Sequence, residues 1–167
     1  NIEGTYNILE SSKNLDIEQT IITSTSEVYG SAKYVPIDEK HPLSAQSPYS
    51  ASKISADQLA ISYWNSFQLP IKIIRPFNIY GPRQSSRAVI PSIIIQALNN
   101  KDEIKLGNVE PTRDFTYVTD TCNAFLDILK SKTFFGDILN VGSNSEHSIE
   151  DIAKKILLKL NSKASII

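Results

Sequence analysis

The stretch IEQTIITSTSEVYG, Ile17 to Gly30, decides how the chain is read. Its first half, Ile17 to Thr25, is rich in Ile and Thr and reads as a short buried strand. Its second half breaks into hydroxyls and a carboxylate, Ser24, Thr25, Ser26 and Glu27, before a glycine. Apolar strands alternating with helices make a mostly parallel sheet covered on both faces. Ligands of such sheets sit at the carboxyl ends of strands. The polar residues after Thr23 occupy such an end.

Working outward, Ser31 to Ser47 is loop-like, with Pro36, Pro42 and a charged DEKH run, and Pro48 follows. A helix is expected from about Tyr49 to Phe67, with Ala56, Leu59, Ala60, Tyr63 and Phe67 as its apolar stripe. IKIIRP is a second strand, stopped by Pro76, and NIYGPRQSS reads as a loop. AVIPSIIIQALNN is a helix ending at Asn99-Asn100, and EIKL a short strand. TDTCNAFLDILKS is a helix with Cys122, Phe125, Leu126 and Leu129 on one face. GDILNVG is a strand, and SIEDIAKKILLKLN a helix with Ser148 as N-cap and Asp151 at N3. NIEGTYNILESSKNL places the chain's start inside or at the opening of a helix, and ASII reads as the beginning of a buried strand. Both ends suggest part of something longer.

The 167 residues allow one domain or a large piece of one, and 41% apolar content suffices for a core. Lys plus Arg number 17 against 18 Asp plus Glu, which argues against a general nucleic-acid binder. No apolar run approaches the ~20 residues of a membrane span, so no membrane partner is expected. One cysteine and two histidines argue against a Cys/His zinc site, and no metal is assigned. A cytoplasmic location is the default.

Nineteen residues past Gly30 comes YSASK. Tyr49 and Lys53 stand at i and i+4, which puts both on one helix face with Cβ atoms about 5–6 Å apart. A free tyrosine is a poor base, with a pKa near ~10; a neighbouring ammonium favours the phenolate. With a hydroxyl such as Thr25 on the same oxygen, this trio moves a proton on or off a sugar or alcohol while hydride leaves the adjacent carbon. Each piece alone has a plainer reading: Tyr-x-x-x-Lys arises by chance, Ser/Thr runs cap turns, and Glu27 suits a surface. Arg75, Arg83, Arg87 and Arg113, read alone, are solvated or salt-bridged surface residues.

STSEVYG, PYSASK, RPFNIYGPR and RDFTYVTD, in that order, resemble the extended short-chain dehydrogenase/reductase superfamily, the NAD-dependent nucleotide-sugar epimerases and dehydratases. VPIDEKHPLSAQSPYSASKISAD and GPRQSSRAVIPSII look most like the sugar 4,6-dehydratases, particularly those acting on nucleotide-linked N-acetylglucosamine. The resemblance implies an α/β fold: the C-terminal half of a Rossmann-type doubly wound parallel sheet plus part of a substrate-binding region. Residues 1–80 would be a partial NAD-binding domain with the catalytic residues, and 81–167 the substrate region interleaved with the last Rossmann elements. It implies Tyr49 as base at sugar C4, Lys53 on the nicotinamide ribose, Thr25 on the C4 oxygen and Glu27 as base at C5. Pro76 and Phe77 would shape the strand end beside the nicotinamide, while Asn78, Arg87 and Arg113 would contact the sugar diphosphate. The helix start near Ala88 could add backbone N–H groups facing an anion.

Dehydratases of this type generally carry Thr-Asp-Glu where this chain has Thr25-Ser26-Glu27. A serine protonates a leaving hydroxide poorly, so Ser26 relays a proton or the reaction is not elimination. A nucleotide-sugar decarboxylase, a C4 epimerase and a non-catalytic NAD-sensing protein therefore remain as alternatives. The implied cofactor is NAD, although none of the six glycines forms G-x-x-G-x-x-G. Asn1, Gly4 and Thr5 match the N-x-x-G-T helix that follows the missing strands. This stretch alone is expected neither to bind NAD well nor to turn over. A homodimer through the Tyr49–Phe67 helix is the implied assembly, and surface-polysaccharide sugar synthesis the implied role.

Overall fold

The computed structural model describes residues 1–99 and 102–167. In chain order the elements are α1 (Ile2–Asn14), β1 (Thr20–Thr23), a 3-10 turn (Ser26–Tyr29), α2 (Pro48–Phe67), β2 (Ile71–Pro76), β3 (Asn78–Tyr80), α3 (Val89–Asn99), β4 (Glu103–Ile104), β5 (Thr112–Tyr117), α4 (Val118–Lys130), β6 (Ile138–Val141), β7 (Glu146–Ser148), α5 (Ile149–Lys159) and β8 (Ser165–Ile166). Two compact units divide them: residues 1–77 with 119–142, and 78–118 with 143–167. Among the described residues no helix is long and apolar enough to cross a membrane.

The first unit is built on a parallel sheet of order β1-β2-β6. All six residues of β2 are buried, as expected of a central strand covered on both faces. Leu9, Ile22, Ala60, Tyr63, Leu69, Ile71 and Ile73 form the core on the α1 and α2 side. Each large aliphatic side chain there contributes roughly 1.5–3 kcal/mol by leaving water. The apolar stripe expected on α2 is the face that packs, except that Phe67 at its end stays half exposed. The helix starts on a capping box: Ser47 Oγ accepts from Ser50 N–H and Ser50 Oγ accepts from Ser47 N–H, with Pro48 in the first turn. It ends at Gln68 in the left-handed region.

One polar residue of β2 is buried for a local reason. Lys72 Nζ donates to the carbonyls of Ile128 (2.7 Å) and Ser131 (2.6 Å). These lie at the carboxyl end of α4, where the helix's orphan carbonyls favour a cation. Burial pushes the Lys72 ammonium below its usual range.

In the second unit β3 pairs with β5 in parallel and β5 with β7 antiparallel, while β4 and β8 form a separate parallel pair. Ile93, Ala97, Ile104, Ala153, Leu157 and Ala164 join α3, α5 and the β4–β8 pair into one core. The N-terminus of α5 carries the expected box, with Ser148 Oγ accepting from Asp151 N–H (3.0 Å) and Asp151 Oδ2 accepting from Ser148 N–H (3.3 Å).

Several expectations are corrected. The first strand spans Thr20–Thr23 rather than Ile17–Thr25, because Ser24 and Thr25 leave it to enter the 3-10 turn. NIYGPRQSS contains β3, whose strand partner lies far along the chain. Residues 113–117 of the RDFTYV motif lie in strand β5, which the sequence reading does not assign to an element, and β7 pairs with it antiparallel. EIKL is strand only at Glu103–Ile104. On α4, Thr121 is buried while Cys122, Leu126 and Leu129 are exposed. The α3 helix is described to Asn99; the expected end at Asn100 lies outside the described residues.

Candidate active site

The polar stretch after β1 is shaped by its own hydroxyls. Ser24 N–H donates to Ile74 O (2.7 Å), extending the β1–β2 bonding one residue past the strand. Thr25 is extended, and its Oγ1 accepts from Glu27 N–H (3.3 Å), capping the 3-10 turn. A hydroxyl that accepts one bond keeps its proton to donate elsewhere. Gly30 closes the turn at φ 67°, where a Cβ would lie 2.4 Å from Ser44 O. Thr25 and Ser26 are half-buried and Glu27 is exposed.

Tyr49 and Lys53 lie one turn apart at the start of α2. Lys53 Nζ donates to Thr23 O (2.7 Å), so the lysine crosses from helix to the carboxyl end of β1. That single bond brings the Tyr-x-x-x-Lys face to the strand end from which Thr25, Ser26 and Glu27 emerge. The Tyr49 ring is 46% exposed, open to a ligand. Asn1 Nδ2 donates to Ser52 Oγ (2.8 Å), tying the start of α1 beside Tyr49. Pro76 ends β2, opposite Val141 of β6.

Arg75, expected at the surface, is 1% exposed. Its Nε and Nη2 both donate to Asp57 Oδ2 at 3.0 Å, and Asp57 is 0% exposed. Its Nη1 donates to Tyr29 OH (3.0 Å), and the guanidinium lies over the Tyr29 ring at 4.9 Å. Tyr29 OH in turn donates to Asn140 Oδ1 (2.7 Å). Asn140 N–H donates to Glu39 Oε1 (2.8 Å), reaching the loop before α2. Burial pushes the Asp57 carboxyl upward, against the Ser24 hydroxyl, Arg75 and Lys53, which favour its charged form. Ser24 Oγ and Asp57 Oδ1 are both buried, and neither has a hydrogen-bond partner within normal geometry among the described residues. Burial likewise raises the Tyr29 phenol, opposed by Arg75 and Asn140.

The remaining candidates lie in the second unit. Asn78 begins β3 and pairs with Phe115, while Arg113 on β5 pairs with His147. Side chains alternate along strands, so Asn78, Arg113, Phe115 and His147 share one sheet face. Arg113 is exposed, with Nη1 donating to Thr112 O (2.7 Å). Arg87 is exposed just before α3. A cavity of about 470 Å³ in the same unit is lined by Tyr80, Phe115, Ile94, His147, Lys155 and Lys159, among others.

A family model described as GDP-mannose 4,6 dehydratase matches residues 1–166. The chain belongs to that family. It is 41% identical over 168 residues to the dTDP-D-glucose 4,6-dehydratase of Dictyostelium discoideum, covering 94% of this chain and 38% of the relative. The human protein of the same name is 36% identical, over 94% of this chain and 45% of its own length. Among solved structures, dTDP-glucose 4,6-dehydratase from Bacillus anthracis in complex with NAD is similar with a TM-score of 0.90 and 34% identity, covering 98% of this chain and 54% of that one. UDP-glucuronic acid 4-epimerase from Bacillus cereus, bound to UDP-glucuronic acid and NAD, gives 0.91 and 32%, covering 99% and 53%. The chain therefore spans about half the length of these relatives, or less. The fold is the Rossmann-like α/β of NAD-dependent nucleotide-sugar dehydratases and epimerases, and the family's cofactor is NAD.

The family residues present suit the nicotinamide-ribose end of that cofactor. An ammonium has three donors; Thr23 O takes one from Lys53, and the others suit a ribose diol. The buried Pro76 walls the adjoining strand end without offering a competing donor. No residues of this sequence form a glycine-rich diphosphate loop. Sequence reasoning missed Asp57, Tyr29 and Asn140 in this family member. Asp57 stands four residues past Lys53, continuing the Tyr49–Lys53 face, which was the one available signal.

Proposed function

We propose that the protein to which this chain belongs is an NAD-dependent nucleotide-sugar 4,6-dehydratase acting on a nucleotide-linked hexose or N-acetylhexosamine. The observation that supports this reading is the Lys53 Nζ to Thr23 O bond, which holds the lysine of the Tyr49–Lys53 pair at the strand end that leads into the Thr25–Glu27 turn. Residues 1–80 supply the catalytic groups, and the sugar-diphosphate contacts come from Asn78 with Arg87 and Arg113 of the 81–167 region. Arginine suits that role because its fork matches phosphate oxygens.

In this reading the Tyr49 oxygen takes the proton of the C4 hydroxyl, and the Thr25 hydroxyl donates to the sugar's C4 oxygen. Lys53 and Pro76 would hold the nicotinamide end of NAD, which would supply the hydride acceptor for C4 and the hydride donor for C6. The Glu27 carboxylate removes the C5 proton; the freed pair forms the C5–C6 double bond, and the C6–O bond breaks. When hydride enters C6, protonated Glu27, exchanged with solvent, returns a proton to C5. Ser26 passes a proton, by way of water, to the departing hydroxide, which leaves as water. The product is a 4-keto-6-deoxy sugar of the kind used in surface polysaccharides. The full-length protein acts as a homodimer through α2.

Ser26 favours a second reading, because a C4 epimerase needs no acid there. Incubating the full-length protein with NAD and a panel of nucleotide sugars separates the two. The dehydratase yields a product lighter by one water, and Glu27→Gln abolishes it. An isomer of unchanged mass, formed equally by Glu27→Gln, overturns the proposal in favour of the epimerase.

A further inference from the structure

Glu27 is exposed on a short turn, so its position depends on how that turn is held. The entry is fixed by Ser24 on Ile74 and by the Thr25 cap. The exit is Tyr29, whose ring is 1% exposed and whose hydroxyl sits between Arg75 and Asn140. Tyr49 and Lys53 are placed by α2, and two turns after Tyr49 the same helix is fastened through Asp57 to the same guanidinium. One side chain of β2 thus grips both elements, with different nitrogen atoms: Nε and Nη2 for the helix, Nη1 for the turn.

We propose that Arg75 is a positioning residue that sets the Glu27 turn against the Tyr49–Lys53 face, with Tyr29 as the arm that serves Glu27 alone. The inference rests on the dehydratase reading above. It assigns the two halves of the reaction to two separable bonds. Losing the Tyr29 hydroxyl frees the turn and leaves the Asp57–Arg75 pair intact, so C4 oxidation continues while proton removal at C5 suffers. Losing the Asp57 carboxylate loosens α2 and harms both. A reacting group misplaced by about 1 Å costs up to roughly a hundredfold in rate. Tyr29 and Asn140 lie outside the catalytic contacts; neither touches substrate in this scheme.

The test uses full-length protein carrying Tyr29→Phe, a substitution that keeps the buried ring, with Asn140→Ala as a second variant that removes the acceptor of the same hydroxyl. C4 oxidation is followed by the near-ultraviolet absorbance of the reduced cofactor in a single turnover, and C5 proton removal by solvent deuterium entering C5. Amide hydrogen exchange of residues 24–30 gives a readout independent of turnover. The expected result is C4 oxidation and KM within about twofold of the parent, C5 exchange and product formation lower by roughly ten- to a hundredfold, and faster exchange confined to the turn. Equal losses in both steps, or no loss in either, overturn the inference while leaving the dehydratase intact. A parent protein that forms no dehydrated product overturns the dehydratase reading, and the inference with it.

Discussion

Replacing Arg75 by Met leaves a buried carboxylate without its counter-ion. Arg75 and Asp57 are 1% and 0% exposed, and both hydrogen bonds go to the same oxygen, Asp57 Oδ2. The other oxygen, Oδ1, has no hydrogen-bond partner within normal geometry among the described residues. Removing the guanidinium therefore strips the carboxylate of its strongest partners, with no water-exposed face to compensate. Breaking one side of a buried pair costs about 3–5 kcal/mol. For a domain of roughly 150–250 residues this lowers Tm by about 6–20 °C. Exchanging both partners for apolar residues, Arg75→Met with Asp57→Leu, removes the stranded charge and should recover most of that loss. The assay is thermal and urea unfolding of full-length protein for parent, both single variants and the double variant. A single-variant loss below about 1 kcal/mol, or a double variant as unstable as the two singles summed, would refute the view that the pair is desolvated and coupled.

Four further outcomes follow from the structure. Tyr49→Phe removes the group proposed to take the C4 proton and should lower turnover by roughly 10²–10⁴-fold with little change in unfolding temperature; retained turnover in a steady-state assay would exclude Tyr49 as the base. Gly30→Ala forces a Cβ to 2.4 Å from Ser44 O at φ 67°, so it should cost more than about 1 kcal/mol, read as a lower unfolding midpoint. Ser148→Ala removes the α5 cap and should cost about 1 kcal/mol. The same box makes stability depend on acid. Ser148 hydrogen bonding, aided by Lys154 and Lys155, holds the Asp151 carboxyl below its usual value. Its contribution is complete above the ordinary aspartate range and is lost as pH falls through the lowered value. Asp151→Asn should flatten that acid limb of a stability–pH curve.

Elements whose logic is local were legible in the sequence. The α5 cap is a Ser and an Asp three residues apart, and the structure forms that box. IKIIRP was legible as a strand, and the structure makes it the buried central strand of its sheet although Lys72 and Arg75 stand inside it. What sequence reading lost depends on partners far along the chain. Arg75 looked like a surface cation because its anion lies 18 residues back and its phenol 46. Tyr29 meets Asn140 across 111 positions, and no periodicity announces such a pair. Strands β3 and β7 have three residues each, too short to carry an alternation pattern, and β5 was visible only as a motif. At the candidate site, spacing placed Tyr49 and Lys53 on one face, but only the fold supplies the Thr23 carbonyl that aims the lysine.

The most direct measurement of the central claim follows one hydrogen. Full-length protein, NAD and a nucleotide hexose carrying deuterium at C4 are allowed to react, and the product's label is located by nuclear magnetic resonance. If Tyr49 and Glu27 work at C4 and C5 as described, deuterium appears in a new C6 methyl group and the sugar is a 4-ketone. Deuterium found back at C4 of an intact hexose, with its C6 oxygen still in place, would contradict the account.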